Sequence, residues 1–475
     1  MELSRKAIFS ATAAAGVVAI IAVIVFAGSS NVLNQSGFDF WSAPTTQMLS
    51  SNDNNDDNND NKDNNGDAPQ STQDINSPQL SDPNLQAEKV IKGLDHPTSM
   101  KFIGQNQILV VEKDTGAVRL ISNGKLQPDP IFQAPVLNES ERGMLGVAVS
   151  NASSNDTGNG PTAAGKKTVF IYHTEEGNSS GDVRNRVYKF EWDSATSKLG
   201  EGKMILDLPG TPGPNHDAGK LAIGPDGMLY GVIGDLNRDG MTQNFPNGPP
   251  PDGTSSIYRI DQNGNAAKGN PLSDENPATN AVLSKYYAYG IRNSFGLAFD
   301  PVSGKLWDTE NGPASNDEIN VVEPGFNSGW QTVQGPIERT GKTADSLVQF
   351  KGSHYHDPAF TWATPPAVTD IEFLKSTKLG EKYANNIFVG DYVNGNLYFF
   401  TVNSERNGLV LDGNGLQDLV ADNPAEVSQV TFGTGFKGIT DIETGPDGYL
   451  YVLTYGGNIY RIAPSATAPN PSLPE

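Results

Sequence analysis

Asn215-His216-Asp217 lies between the turn-rich stretch Pro212-Gly213-Pro214 and a β-rich unit running from Leu221 to Ile233. Histidine takes and gives a proton near neutral pH without an extreme pKa shift, so His216 is a candidate proton-transfer group. Its neighbours Asn215 and Asp217 are of types that orient a ring nitrogen or hold a ligand hydroxyl. A second group is Arg292-Asn293, directly before the apolar run ending at Phe299. It sets a fixed cation and an amide at a loop mouth, which suits planar anionic groups such as carboxylates or quinone oxygens. The alternative for Arg292 is a structural role on loop carbonyls. A third group, Glu310 to Asn320, combines the Gly312-Pro313 turn with the acidic pair Asp317-Glu318. Carboxylate, amide and carbonyl oxygens together are what Ca²⁺ takes, although a plain polar turn has the same composition. Glu141-Arg142 adds a charged pair ahead of a buried strand. His354-Tyr355-His356-Asp357 has transition-metal donors, but strand alternation with one exposed face is the simpler account.

The elements that must position these residues are short and β-rich. Six meander units recur between Leu94 and about Pro464, centred on residues 107–121, 168–190, 228–260, 296–322, 386–400 and 449–462. Each carries Gly, Asp or Asn turns. Six such units predict an all-β, six-bladed propeller, which closes on itself and leaves few exposed edges. Residues 151–166 and 239–254 are expected as loops at its ends.

Bulk properties narrow the partners. The chain has 475 residues and a formal net charge of −22. That field repels phosphate backbones, so nucleic acid is excluded as a partner. There is no cysteine, so no disulfide or thiolate site exists. Arg5 and Lys6 precede an apolar run up to Gly28, long enough to cross a bilayer as a helix. Residues 1–28 are therefore expected to be a membrane anchor, a cleaved signal segment being the alternative. Either places the remaining chain outside the cytoplasm. Residues 29–85 are expected to be an Asn/Asp-rich tether with no face to bury. The propeller is assigned to 86–464, and 465–475 to a flexible tail. Asn34, Asn138, Asn151, Asn155 and Asn178 begin Asn-x-Ser/Thr triplets that fit an exported, glycosylated surface.

The order and spacing of the His216, Arg292, Gly312 and Glu141 segments resemble the glucose/sorbosone dehydrogenase family. Gly93-Leu94-Asp95-His96-Pro97 and Thr440-Asp441-Ile442-Glu443-Thr444-Gly445-Pro446-Asp447-Gly448 match its opening and closing signatures. The resemblance covers about residues 90–464. It implies a soluble quinoprotein-type aldose dehydrogenase with pyrroloquinoline quinone (PQQ), Ca²⁺, a small sugar substrate and an external electron acceptor. It also implies that His216 is the general base, and that Arg292 and Asn293 contact cofactor and substrate. The Gly312 and Pro313 carbonyls would hold Ca²⁺, with Asp317 and Glu318 nearby. Glu141 stands where the family has a substrate-facing Gln. Val393, Gly438 and Thr440 stand where it has a Lys and two Arg, with Lys437 adjacent as a substitute cation, and Ser328 replaces a common aromatic. A non-catalytic surface propeller binding glycan, calcium or a protein is the competing reading. A propeller lactonase is a third.

Overall fold

The computed structural model describes residues 77–150, 167–272, 281–412 and 415–465. The expected anchor, most of the tether, the 151–166 loop and nearly all of the tail lie outside these residues. Among the described residues no helix is long and apolar enough to cross a membrane.

Six antiparallel sheets form six blades. Their inner strands are Pro97–Gly104, Met144–Ser150, Leu221–Ile223, Ser294–Phe299, Val368–Phe373 and Ile439–Thr444. Each inner strand touches the next in cyclic order, and the sixth touches the first, so the ring is closed. The expected six-bladed propeller is therefore observed.

Closure uses the N-terminal part of the described chain twice. Leu85–Ile91 pairs with Asn458–Pro464 as the outer strand of blade 6. Gln79–Leu80 pairs with Thr431–Thr434 at the edge of blade 5. Gln79, Leu80 and Leu85 thus carry strand pairing, although the sequence reading placed them in the tether. A two-residue strand has too little alternation to be seen in sequence.

The core is a set of contacts between blades, which explains the nearly continuous apolar strands. Within Gln107–Glu112, Ile108 and Val110 pack toward blade 6, whereas Leu109 and Val111 pack toward blade 2. Within Ile387–Asp391, Ile387 and Val389 face blade 4 while Phe388 faces blade 6. Successive side chains in a strand point to opposite faces, and here both faces are covered.

The inner strands line a polar channel. Buried Lys220 lies 2.8 Å from Asp370 Oδ1 and 2.9 Å from Asp441 Oδ1, joining blades 3, 5 and 6. The same carboxylates accept backbone N–H groups of neighbouring blades, Met100 to Asp441 at 2.6 Å and Ile442 to Asp370 at 2.9 Å. Lys220→Met leaves two buried carboxylates without their cation. We expect it to destabilise the propeller by about 3–5 kcal/mol, read as a lower midpoint in urea unfolding at unchanged slope.

Candidate active site

Glu141, His216, Arg292, Asn293 and the Gly312 turn lie at one end of the ring. The chain reaches the inner strands of blades 2, 3 and 4 through Glu141, His216 and Arg292-Asn293, which precede Met144, Leu221 and Ser294. The second strand of each blade returns the chain to the same end. In blade 3, Leu221 pairs with Gly231. This register brings Asp235, just beyond Leu229–Ile233, back beside His216.

The imidazole is held from below. His216 Nδ1 lies 2.5 Å from Asp235 Oδ1. Asp235 also accepts Trp330 Nε1–H at 2.7 Å and the Asn237 amide at 2.9 Å. Burial alone would raise the Asp235 pKa. The facing His216, Arg292 and the Trp330 hydrogen bond outweigh it, and its carboxyl stays below the usual range. An ionised Asp235 accepts the Nδ1 proton and leaves the Nε2 lone pair as the ring's basic position. His216 itself has φ +66°, a backbone strain for a non-glycine residue that its neighbours must enforce.

Glu141 is one of those neighbours. It is 2% exposed. Its Oε2 accepts the His216 backbone N–H at 2.7 Å and Asn293 Nδ2–H at 2.9 Å. One carboxylate from blade 2 thus ties the blade 3 loop to the blade 4 loop. Gly234 fits in this seam, where a Cβ would stand 2.4 Å from both the His216 and Arg292 carbonyl oxygens. Asn215 sits farther out, its Oδ1 accepting Ser140 Oγ–H at 2.5 Å.

Arg292 is buried beside Trp330. Its Nη1 donates to Asn311 O at 3.0 Å, and its guanidinium stacks over Trp330, 5.3 Å from the ring centroid. Arg292 Nε and Asn293 Oδ1 are buried without a hydrogen-bond partner. Buried polar atoms are rarely left so, and an unpaired donor beside an unpaired acceptor is what a polar ligand would complete.

The residues expected to hold a metal separate into two places. Asp317 receives the Gly312 N–H at 2.8 Å on one oxygen and the Val368 N–H at 3.0 Å on the other. One oxygen shapes the turn and the other ties it to the inner strand of blade 5. Among the described residues the Gly312 and Pro313 carbonyls accept no hydrogen bond. Glu318, one residue on, points to the opposite face of blade 4 because strand side chains alternate. There it lies in register with Glu310, and Asp308 with Asn320. Asp308, Glu310 and Glu318 are fully or almost fully buried. Among the described residues none of the three forms an ion pair with a cationic side chain. Neither oxygen of Asp308 and not Asn320 Oδ1 has a partner. Burial raises the pKa of all three carboxyls, Glu310 to about 7. Like charges opposed in a sheet are unfavourable unless a proton or cation joins them.

Lys437, two residues before the inner strand of blade 6, is exposed at the same end of the ring as Arg292. The nearby positions add no charge. Val393 is exposed. Thr440 Oγ1 donates to Pro97 O at 2.9 Å.

Sequence reasoning gave the ring's orienting role to Asp217 or Asn215. Asp217 instead faces inward, accepting Asn185 Nδ2–H at 2.8 Å, and burial raises its carboxyl to about 7. Asp235 takes the role. Trp330 was missed as a site residue, and Glu310 and Ser328, though named, were not seen as partners of each other. Ser328 Oγ donates to Glu310 Oε2 at 2.6 Å, and Arg292 N donates to Glu310 Oε1 at 2.8 Å.

Comparison with known proteins agrees with this arrangement. The family model for Glucose / Sorbosone dehydrogenase matches residues 94–461. The aldose sugar dehydrogenase YliI of Escherichia coli is 26% identical over 378 residues, spanning 78% of this chain and 91% of that protein. The crystal structure of an oxidoreductase (glucose dehydrogenase) from Thermus thermophilus superposes with TM-score 0.60 at 25% identity, covering 80% of this chain and 99% of that one. The PQQ-bound aldose sugar dehydrogenase of Streptomyces coelicolor shares the fold, with TM-score 0.58 at 22% identity over 80% of this chain and 97% of that one. With the family match spanning most of the chain and the fold and rim residues in place, the chain belongs to the glucose/sorbosone dehydrogenase family.

Proposed function

We propose that this protein is an extracytoplasmic quinoprotein-type dehydrogenase that oxidises an aldose at C1 to a lactone with PQQ and Ca²⁺. The carrying observation is the His216–Asp235 dyad set beside Arg292 Nε and Asn293 Oδ1, two buried polar atoms without partners. The relatives named for aldose oxidation support the substrate class. The Streptomyces coelicolor protein, which holds PQQ, supports the cofactor.

His216 Nε2 takes the proton from the anomeric hydroxyl, and Asp235 stabilises the imidazolium that results. Arg292 and Asn293 would hold the cofactor and the sugar, and the Arg292 guanidinium would offset negative charge that builds as electrons leave the substrate. Glu141 keeps the two loops in register. PQQ, when bound, supplies the two-electron acceptor for the C1 hydrogen. Arg292, Asn293 and Lys437 would hold it, with the Gly312 and Pro313 carbonyls meeting the Ca²⁺ beside it. Lys437 is then the cation for the cofactor's carboxylates, in place of the family's Lys and two Arg. An external electron acceptor would complete the turnover. The apolar N-terminal run supports a membrane anchor with the propeller outside the cytoplasm. Dye reduction with a panel of aldoses, with lactone identified by NMR, tests the reading. Activity that needs both PQQ and Ca²⁺ is expected, and none with any aldose refutes it.

Glu310 is buried in register with Glu318, and among the described residues neither forms an ion pair with a cationic side chain. This gives a pH-dependent expectation. Glu310 titrates near 4.5 unfolded and about 7 folded, and a raised carboxyl binds its proton more tightly when folded. The stabilisation is complete below pH 4.5 and is lost as pH rises toward 7, a change on the order of 3 kcal/mol. Metal-free protein should therefore melt lower at pH 7.5 than at pH 5. Metal-free protein that melts as high at pH 7.5 as at pH 5 contradicts the raised Glu310 carboxyl.

A further inference from the structure

At the other end of blade 4 stands a group that the dehydrogenase reading does not use. Glu323 directly follows Asp317–Val322, whose first residue shapes the Gly312 turn. Six residues of strand separate Asp317 from Glu323, roughly 20 Å, so this group is remote from His216. Glu323, His354 and His356 each offer one ligand atom, and these atoms lie within 4.8 Å of one another. His354 Nε2 is buried without a hydrogen-bond partner, 3.6 Å from Glu323 Oε2. His356 Nδ1 lies 3.0 Å from the Asp357 carbonyl oxygen, which only an N–H can satisfy, and the Nε2 lone pair is left outward. Phe326 stacks on the His356 ring at 4.5 Å and fixes its plane. The two segments are already tied by Asn327 N–H to His354 O at 2.8 Å and His354 N–H to Gly325 O at 3.1 Å. Lys305 Nζ, 3.6 Å from Glu323 Oε1, is the one competing cation at this carboxylate among the described residues.

We infer that Glu323, His354 and His356 form a binding site for a divalent transition metal of the Zn²⁺ type, with a fourth position open to solvent. Two imidazoles and one carboxylate are a borderline-soft donor set that selects Zn²⁺ over Ca²⁺. A carbonyl-bonded Nδ1–H is the usual outer support of a metal-binding imidazole. Bonds of about 2.0–2.1 Å to one ion bring the three atoms to roughly 3.4 Å apart, a closure that side-chain torsions supply. The metal clasps both ends of the excursion 324–353. That excursion carries Ser328 to Glu310 and Trp330 to Asp235. The site is thus a clip on the loop that supports the dyad, without taking part in the chemistry.

The test uses untagged full-length protein stripped with chelator and titrated with Zn²⁺ by calorimetry and with Co²⁺ by absorption. One equivalent of Zn²⁺ is expected beside millimolar Ca²⁺, with Co²⁺ d–d bands and imidazole scattering in X-ray absorption. His354→Gln/His356→Gln should weaken Zn²⁺ binding at least about 100-fold, and Glu323→Gln about 10- to 100-fold, by the usual cost of a lost ligand or support. Metal-free melting of these variants should match the parent. No saturable Zn²⁺ binding in the parent, a parent spectrum without imidazole ligation, or unchanged affinity in the double variant overturns the site. The parent spectrum decides the matter even if a variant fails to fold.

Discussion

His216→Ala is expected to lower kcat for aldose oxidation by about 10²- to 10⁴-fold while PQQ and Ca²⁺ still bind. The reasoning starts from what the side chain touches. Its Nδ1 is occupied by Asp235, 2.5 Å away, and its backbone N–H by Glu141 at 2.7 Å. Only Nε2 remains for chemistry. The alanine variant keeps the backbone hydrogen bond to Glu141 and with it the seam to Asn293. Loss should therefore fall on the proton-transfer step and hardly on ground-state binding, so KM changes little. Exogenous imidazole should restore part of the rate. A variant that retains more than a tenth of the parent kcat removes His216 from the role of base.

Asp235→Asn tests the same step one residue away, and its effect should also reach about 10²- to 10⁴-fold in kcat. Asp235 is a positioning residue and touches no substrate. As a carboxylate it accepts the Nδ1 proton. An amide is free to present its NH₂ instead, which moves the ring proton to Nε2 and blocks the basic position. Asp235→Ala leaves the tautomer unconstrained and should retain more activity than Asp235→Asn. A merely structural role predicts the reverse order, because asparagine preserves more of the bonds to Trp330 and Asn237.

The difference between Asp217 and Asp235 shows how much of this site a sequence carries. His216, Arg292 and Asn293 were legible because each precedes a well-marked inner strand, and position in a blade sets which end of the ring a residue reaches. The partner of His216 was not, because adjacency favoured Asp217. Strand register decides otherwise, since Leu221 pairs with Gly231 and carries Asp235 back to the rim. The split between Asp317 and Glu318 follows from strand alternation alone and was in principle readable. Trp330 and Ser328 were not, for they arrive on a long excursion without periodicity whose path is set by tertiary contacts. The blades were the clearest part. Apolar runs such as Ile108 to Val111 leave no polar face, and stacking between two neighbouring blades satisfies them.

The most direct measurement is a titration of PQQ into Ca²⁺-loaded protein, followed by absorption before and after an aldose is added. One equivalent should bind per chain, and the aldose should then bleach the oxidised cofactor in the parent. His216→Ala should bind the same equivalent and remain oxidised. A parent protein that binds no PQQ at any Ca²⁺ concentration, or binds it and leaves it oxidised with every aldose, contradicts the account.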